Sequence, residues 1–163
     1  MKRFFVFGAV LAMIVLVTTL SFAQTRASTT QTVNLGVNSI YRLLVTGNPT
    51  LIITSGTAGD PALASVSEAT STYSLTINRL VSRLTVQLSA ALGTGVNLTI
   101  NVPSNRGPSA GTVDISDAGA HDVAGPLSPG ATNNQPITYT LSATADALPF
   151  ASTPYIVTWT LQD

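Results

Sequence analysis

The chain has no cysteine among its 163 residues, so neither a disulfide framework nor a thiol nucleophile nor a Cys-based metal site is open to it. Charge is almost as scarce, at 9% of residues. Lys2 and Arg3 stand at the very start, and beyond them the cations are five scattered arginines (26, 42, 79, 83 and 106) against seven acids. Binding to nucleic acid or another polyanion needs clustered cations to neutralise phosphates, so that class is excluded. Histidine occurs once, at His121, and glutamate once, at Glu68. Catalytic sites built on several imidazoles or on paired glutamates therefore have no material.

What is present comes first as an export pattern. Lys2 and Arg3 precede an apolar run from Phe4 to Leu20, and Ser21-Phe22-Ala23 supplies small residues where a signal peptidase reads them. Residues 1–23 are read as a signal peptide, with Gln24 as the first mature residue and the membrane engaged only through that segment. A run of this length also reaches the lower limit of a bilayer span, and an uncleaved anchor is the alternative. Residues 24–31 then form a polar leader, and 32–163 have the size of one domain.

Within that domain the dominant signal is alternation with a period of two, which places successive side chains on opposite faces of a strand. In the last segment Tyr155, Val157, Trp159 and Leu161 share one face, while Thr158 and Thr160 share the other. Earlier segments repeat this Thr-rich outer face: Val33, Leu35 and Val37; Ile40 to Val45; Leu51 to Ile53; Tyr73, Leu75 and Ile77; Leu84, Val86 and Leu88; Val96, Leu98, Ile100 and Val102; Val113 and Ile115; Ile137, Tyr139, Leu141 and Ala143. The Gly93-Thr94-Gly95 turn joins two of these runs as a hairpin. Residues 117–136, rich in Gly, Pro and Asn, read as a long irregular loop or as one that hides a short strand near Val123. No helix is expected after residue 23. Eight or nine short strands at this spacing predict an all-β, two-sheet, immunoglobulin-like β-sandwich, with Trp159 as a buried anchor.

Candidate chemistry is sparse. His121 with Asp114, Asp117 or Asp122 supplies two members of a Ser-His-Asp set, yet no G-x-S-x-G elbow accompanies them, and His121 is read as a surface loop residue. The acids of Asp114-Ile-Ser-Asp117-Ala-Gly-Ala-His121-Asp122 are read as turn formers, with a calcium loop as the alternative. Glu68 sits in a loop-like Ser/Ala context, which leaves glycosidase-type carboxylate pairs unsupported. Tyr73, Tyr139, Tyr155 and Trp159 share the phase of the aliphatic core, so Tyr41 and Phe150 are the two aromatics left to stack on a sugar. Asn97-Leu-Thr99 is a formal glycosylation sequon inside a strand and is read as chance. No catalytic, cofactor or metal residue is assigned.

The closing residues Tyr155-Ile-Val-Thr-Trp159-Thr-Leu161-Gln-Asp resemble the distal W-x-L motif of bacterial WxL-type cell-surface domains. The Thr-rich strands from Val33 to Leu141 are similar, more loosely, to secreted bacterial proteins of pilin-like β-sandwich type. The resemblance implies a secreted or cell-surface, non-enzymatic structural or adhesive protein, a fibre or matrix subunit. Self-association through edge strands is the expected partner interaction, since edge lysines that would discourage it are missing. A glycan-binding module using Tyr41, Phe150 and the 117–136 segment is the alternative, and a cell-surface glycan its partner.

Overall fold

A computed structural model describes residues 28–79 and 82–163, so the predicted signal peptide and residues 24–27 lie outside the described part. The chain divides into two units, residues 1–36 and Val37–Asp163. Among the described residues there is no helix. The described residues of the second unit form eight strands: β1 (Tyr41–Thr46), β2 (Val66–Ile77), β3 (Ser82–Leu88), β4 (Val96–Asn101), β5 (Thr112–Asp114), β6 (Ala120–Leu127), β7 (Gly130–Ala143) and β8 (Val157–Gln162). They form two antiparallel sheets, one of order β1-β2-β7-β4-β5 and one of order β6-β3-β8. This arrangement fits a β-sandwich.

The alternation explains the core directly. Tyr73, Leu75 and Ile77 of β2, Ile137 and Tyr139 of β7 and Leu98 and Ile100 of β4 are buried from the larger sheet. Leu84, Val86 and Leu88 of β3 and Val123, Ala124 and Leu127 of β6 are buried from the smaller one. All belong to one apolar cluster, and each fully buried Leu, Ile or Val contributes about 1.5–3 kcal/mol relative to an exposed side chain.

Several expected elements differ. Val33, Leu35 and Val37 are not in a strand: residues 28–39 carry no secondary structure, and these three side chains are 64%, 90% and 85% exposed. Leu51–Ile53 is likewise not a strand, although Leu51 packs partly on the core. The runs on either side of Gly93-Thr94-Gly95 do not form a hairpin, because β3 pairs with β6 and β8 whereas β4 pairs with β5 and β7. Two alternating runs around a glycine turn look the same whether the turn stays in one sheet or arches over to the other. Here the arch is pinned by half-buried Leu92, whose amide donates to Ser116 O at 2.8 Å.

Of the two readings of residues 117–136, the one with a strand near Val123 holds: β6 (Ala120–Leu127) contains it and residues 130–136 open β7, so the segment is not a long loop but parts of these two strands. Their small residues and prolines hide the period, and irregular register hides it further. The β2–β7 ladder shifts between Glu68 and Ser71 and again between Tyr73 and Leu75. Asn134 takes a φ of 49° beside the second shift, where its amide donates to Ser74 Oγ at 3.0 Å. Glu68, expected in a loop, stands on β2 opposite Tyr139.

Candidate functional site

The free edges of the two sheets are not equivalent. β5 is three residues long. The outer edge of β6 is covered by residues 108–110: Ala110 donates its amide to Val123 O and Gly125 donates to Pro108 O, both at 3.0 Å. β8 has β3 as its one ladder partner among the described residues, and β1 has β2. These two open edges lie near each other. Tyr41 pairs with Ile77 at the end of β2, and Gln162 pairs with Arg83 at the start of β3, so the start of β1 and the end of β8 fall at the same end of the fold and the two strands run in opposite directions.

Their core-facing residues show the consequence of having no neighbour. Tyr41, Leu43 and Val45 on β1 and Val157, Trp159 and Leu161 on β8 all pack against the core cluster, yet each is only half-buried. Trp159 was expected to be fully buried. It sits instead on the last strand of its sheet and is only partly buried. One end of this seam is clasped, because the Tyr41 hydroxyl donates to the Asp163 carboxylate and Arg79 lies 3.3 Å from Asp163 Oδ2. Nothing in the sequence pattern signalled that clasp.

The side of Trp159 that is covered is well fixed. Its ring stacks on Tyr73. Burial pushes Tyr139 up to about 12, a shift that Trp159 opposes. Tyr73 is raised by burial as well, with Ser104 acting in the other direction, and its hydroxyl donates to Pro103 O at 2.7 Å. Tyr73, Tyr139 and Trp159 thus follow the expected core phase. Tyr155 does not, since it precedes β8 and is exposed.

Besides Ile40, Leu44 and Ile52, the exposed large apolar side chains fall in two places. One is the 33–37 segment. Its exit is fixed by Asn78, whose side chain accepts from the Ile40 amide and donates to Asn38 O, each at 2.7 Å. The second is the connection from β7 to β8, where Leu148, Phe150, Tyr155 and Ile156 are exposed. Of the two aromatics proposed for sugar stacking, Phe150 is therefore accessible, while Tyr41 is half-buried and bonded to Asp163.

The acidic segment does not gather its oxygens. Asp114 accepts from the Ser116 hydroxyl and amide and from Asn97 Nδ2, contacts that hold its carboxyl below the usual range. Asp117 is lowered too, first by its 2.7 Å contact with His121 Nε2 and then by the Gly119 amide. Asp122 pairs with Arg83 at 3.3 Å beside a cavity of about 370 Å³ lined also by Ser109, Ala124 and Pro126. His121 lies on β6 rather than in a loop. Among the described residues no group of three His, Asp or Glu side chains converges as a metal site would require. No family model, curated protein or solved structure matches this chain.

Proposed function

We propose that this chain is an exported, non-enzymatic structural or adhesive surface protein, a fibre or matrix subunit of the kind its WxL-like and pilin-like features imply, which self-associates through its edges. The observation that carries this reading is the presence of two incomplete parts: an alternating apolar segment, residues 33–37, that joins no sheet among the described residues, and a sandwich edge whose core-facing residues are only partly buried. Exposed strand edges are templates for adding a strand, and the chain offers both template and strand.

An immunoglobulin-like arrangement is part of the proposal. The order β1-β2-β7-β4 follows the A-B-E-D sheet of that architecture, and β3-β8 follows its C-F pair, with β6 added beside β3. The scheme supports an edge function because its remaining strand, G, belongs beside F, on the side where β8 has no further partner among the described residues.

Electron microscopy and light scattering of the exported protein test the reading. Ordered fibres or concentration-dependent oligomers are expected, and a strict monomer at high concentration would overturn it. The exposed Phe150 favours a glycan-binding alternative, and specific binding on a glycan array that is lost in Phe150→Ala would establish it instead.

A further inference from the structure

We propose that the outer face of the larger sheet carries a binding groove for a carboxylate-bearing saccharide, held by Arg42 on β1 and Asn133 on β7. The inference goes beyond self-association and does not involve Phe150. Alternation places the groove. Tyr41, Leu43 and Val45 pack on the core, so Arg42 and Leu44 between them turn to the other side of β1. Tyr73, Leu75 and Ile77 are buried likewise, which leaves Ser74 and Thr76 on the same outer side of β2. The register sets these residues in rows: Arg42 lies opposite Thr76 and Leu44 opposite Ser74, while Thr76 lies opposite Ala131 on β7. The small side chain of Ala131 leaves room there. The groove has a volume of about 460 Å³, inside the range of small-molecule sites.

A bulge shapes the β7 wall. Tyr73 lies opposite Gln135 and Leu75 opposite Thr132, so two residues, Asn133 and Asn134, face the single Ser74. Asn134 takes up the extra length with its φ of 49°. Bulges re-aim side chains beside binding sites, and this one brings the Asn134 amide to Ser74 Oγ at 3.0 Å. Ser74 Oγ in turn donates to Asn133 Oδ1 at 2.8 Å. With its carbonyl oxygen taken, Asn133 has its Nδ2 left over, without a hydrogen-bond partner among the described residues.

The groups left free determine the ligand. Arg42 forms no ion pair among the described residues, and no carboxylate lines the groove. A guanidinium and an amide donor without an anion of their own select an anionic ligand, and the planar guanidinium matches a carboxylate with two parallel hydrogen bonds. Leu44, between Arg42 and Thr46 and opposite Ser74, is 61% exposed. A small inorganic anion would use the Arg42 end and leave Leu44 bare. A sugar acid uses all of it: the carboxylate on Arg42, ring hydroxyls on Asn133 Nδ2 and the Thr76 hydroxyl, and a C–H face on Leu44. β1 and β7 are two strand spacings apart, roughly 10 Å, which the two side chains and a pyranose between them span.

NMR titration of the isotope-labelled protein tests the groove with named probes. Methyl glucuronide and the methyl glycoside of N-acetylneuraminic acid are the sugar acids, methyl glucoside is the neutral match of the first, and acetate is the bare carboxylate. At least one sugar acid should shift the amide signals of Leu44 and Ser74 and the side-chain signal of Asn133. Its affinity should exceed that of methyl glucoside by about three- to tenfold, the effect of one exposed charged pair. Arg42→Gln replaces an exposed residue, so it should keep the remaining spectrum while bringing the sugar acid down to the level of the glucoside. Phe150→Ala should leave the titration unchanged. Shifts that survive Arg42→Gln, or a glucoside that binds as well as the sugar acids, would overturn the proposal. Acetate binding as tightly at the same residues would overturn the saccharide assignment, and shifts lost in Phe150→Ala would move the sugar to the β7–β8 connection. If neither sugar acid shifts these signals the groove is no site, and self-association, which rests on other residues, is unaffected.

Discussion

Tyr73 on β2 and Trp159 on β8 stack with ring centroids 6.3 Å apart and planes 20° from parallel, which joins the two sheets across the core. The two rings are unequal partners, because Tyr73 is 1% exposed and Trp159 is only partly buried. Truncating a buried aromatic costs about 3–5 kcal/mol in lost transfer energy and cavity, and Tyr73→Ala should fall in that range. Trp159→Ala should cost less, about 2–3 kcal/mol, since part of its ring has no burial to lose. Chemical denaturation of the two variants measures this, and a Trp159→Ala loss equal to that of Tyr73→Ala would contradict the half-covered edge.

Alkaline stability should depend on Tyr139. Its folded pKa of about 12 lies above the ordinary 10.0, so folding favours the protonated phenol. That contribution is complete below pH 10 and is lost as pH rises from about 10 to about 12, where the unfolded chain releases a proton that the folded chain retains. Two pKa units correspond to roughly 2–3 kcal/mol. Tyr139→Phe should lose less stability over that interval than the unmodified chain. Urea midpoints at pH 9 and pH 11 decide it, and identical pH dependence in the two proteins would show that Tyr139 is not the group responsible.

The fold was legible in the sequence wherever alternation met large side chains. Tyr73 to Ile77, Leu84 to Leu88 and Leu98 to Val102 are buried in the expected phase because a half-buried strand has one way to hide Leu, Ile and Tyr. It was illegible where pairing is carried by small or polar residues. β6 buries Val123, Ala124 and Leu127 through two register shifts, and the start of β7 is held by Ser74, Asn133 and Asn134 rather than by apolar contacts. Alternation also reports a side chain's face but not the strand's place in the sheet. Trp159 therefore looked like a core residue, and its half-exposure follows from β8 lying at an edge. The same limit hid the seam. Val33, Leu35 and Val37 carry a strand's pattern with no strand partner in the described chain, a state that local sequence does not distinguish from an ordinary strand.

The turn leading into β6 should be acid-sensitive. Asp114 and Asp117 both have carboxyls held below the ordinary carboxylate range, the first chiefly by Ser116 and the second chiefly by His121. Depressed folded values mean that their contribution is fully present above the unfolded pKa, near 4, and is lost as pH falls through the folded values. Both groups are well exposed, so the effect should be local. Amide exchange at Ser116 and Gly119, whose N–H groups donate to these carboxylates, should accelerate relative to the β2–β7 ladder between pH 5 and pH 2.5 once the intrinsic pH dependence of exchange is removed. Uniform protection across both regions would count against it.

Gly47, which ends β1, offers a test of how closely that edge strand is bound to the sheet behind it. Its φ is 97°, a conformation that costs an L side chain about 1–2 kcal/mol. A Cβ there would also lie 2.8 Å from Ser71 Cα and Oγ, and Ser71 is a buried residue of β2 whose backbone cannot retreat without disturbing the ladder to β7. Gly59 shares the backbone condition, with φ at 85°, but a Cβ there meets nothing within 4 Å. Gly59→Ala therefore measures the conformational cost by itself, about 1–2 kcal/mol, and Gly47→Ala should lose about 1–2 kcal/mol more through the Ser71 contact. Because the displaced element would be β1, the Gly47→Ala protein should also show a change in Tyr41 and Leu43 amide signals by NMR that Gly59→Ala does not. Equal losses in the two variants, with no change at Tyr41 and Leu43, would mean that β1 shifts without resistance and that this wall of the edge is softer than its packing implies.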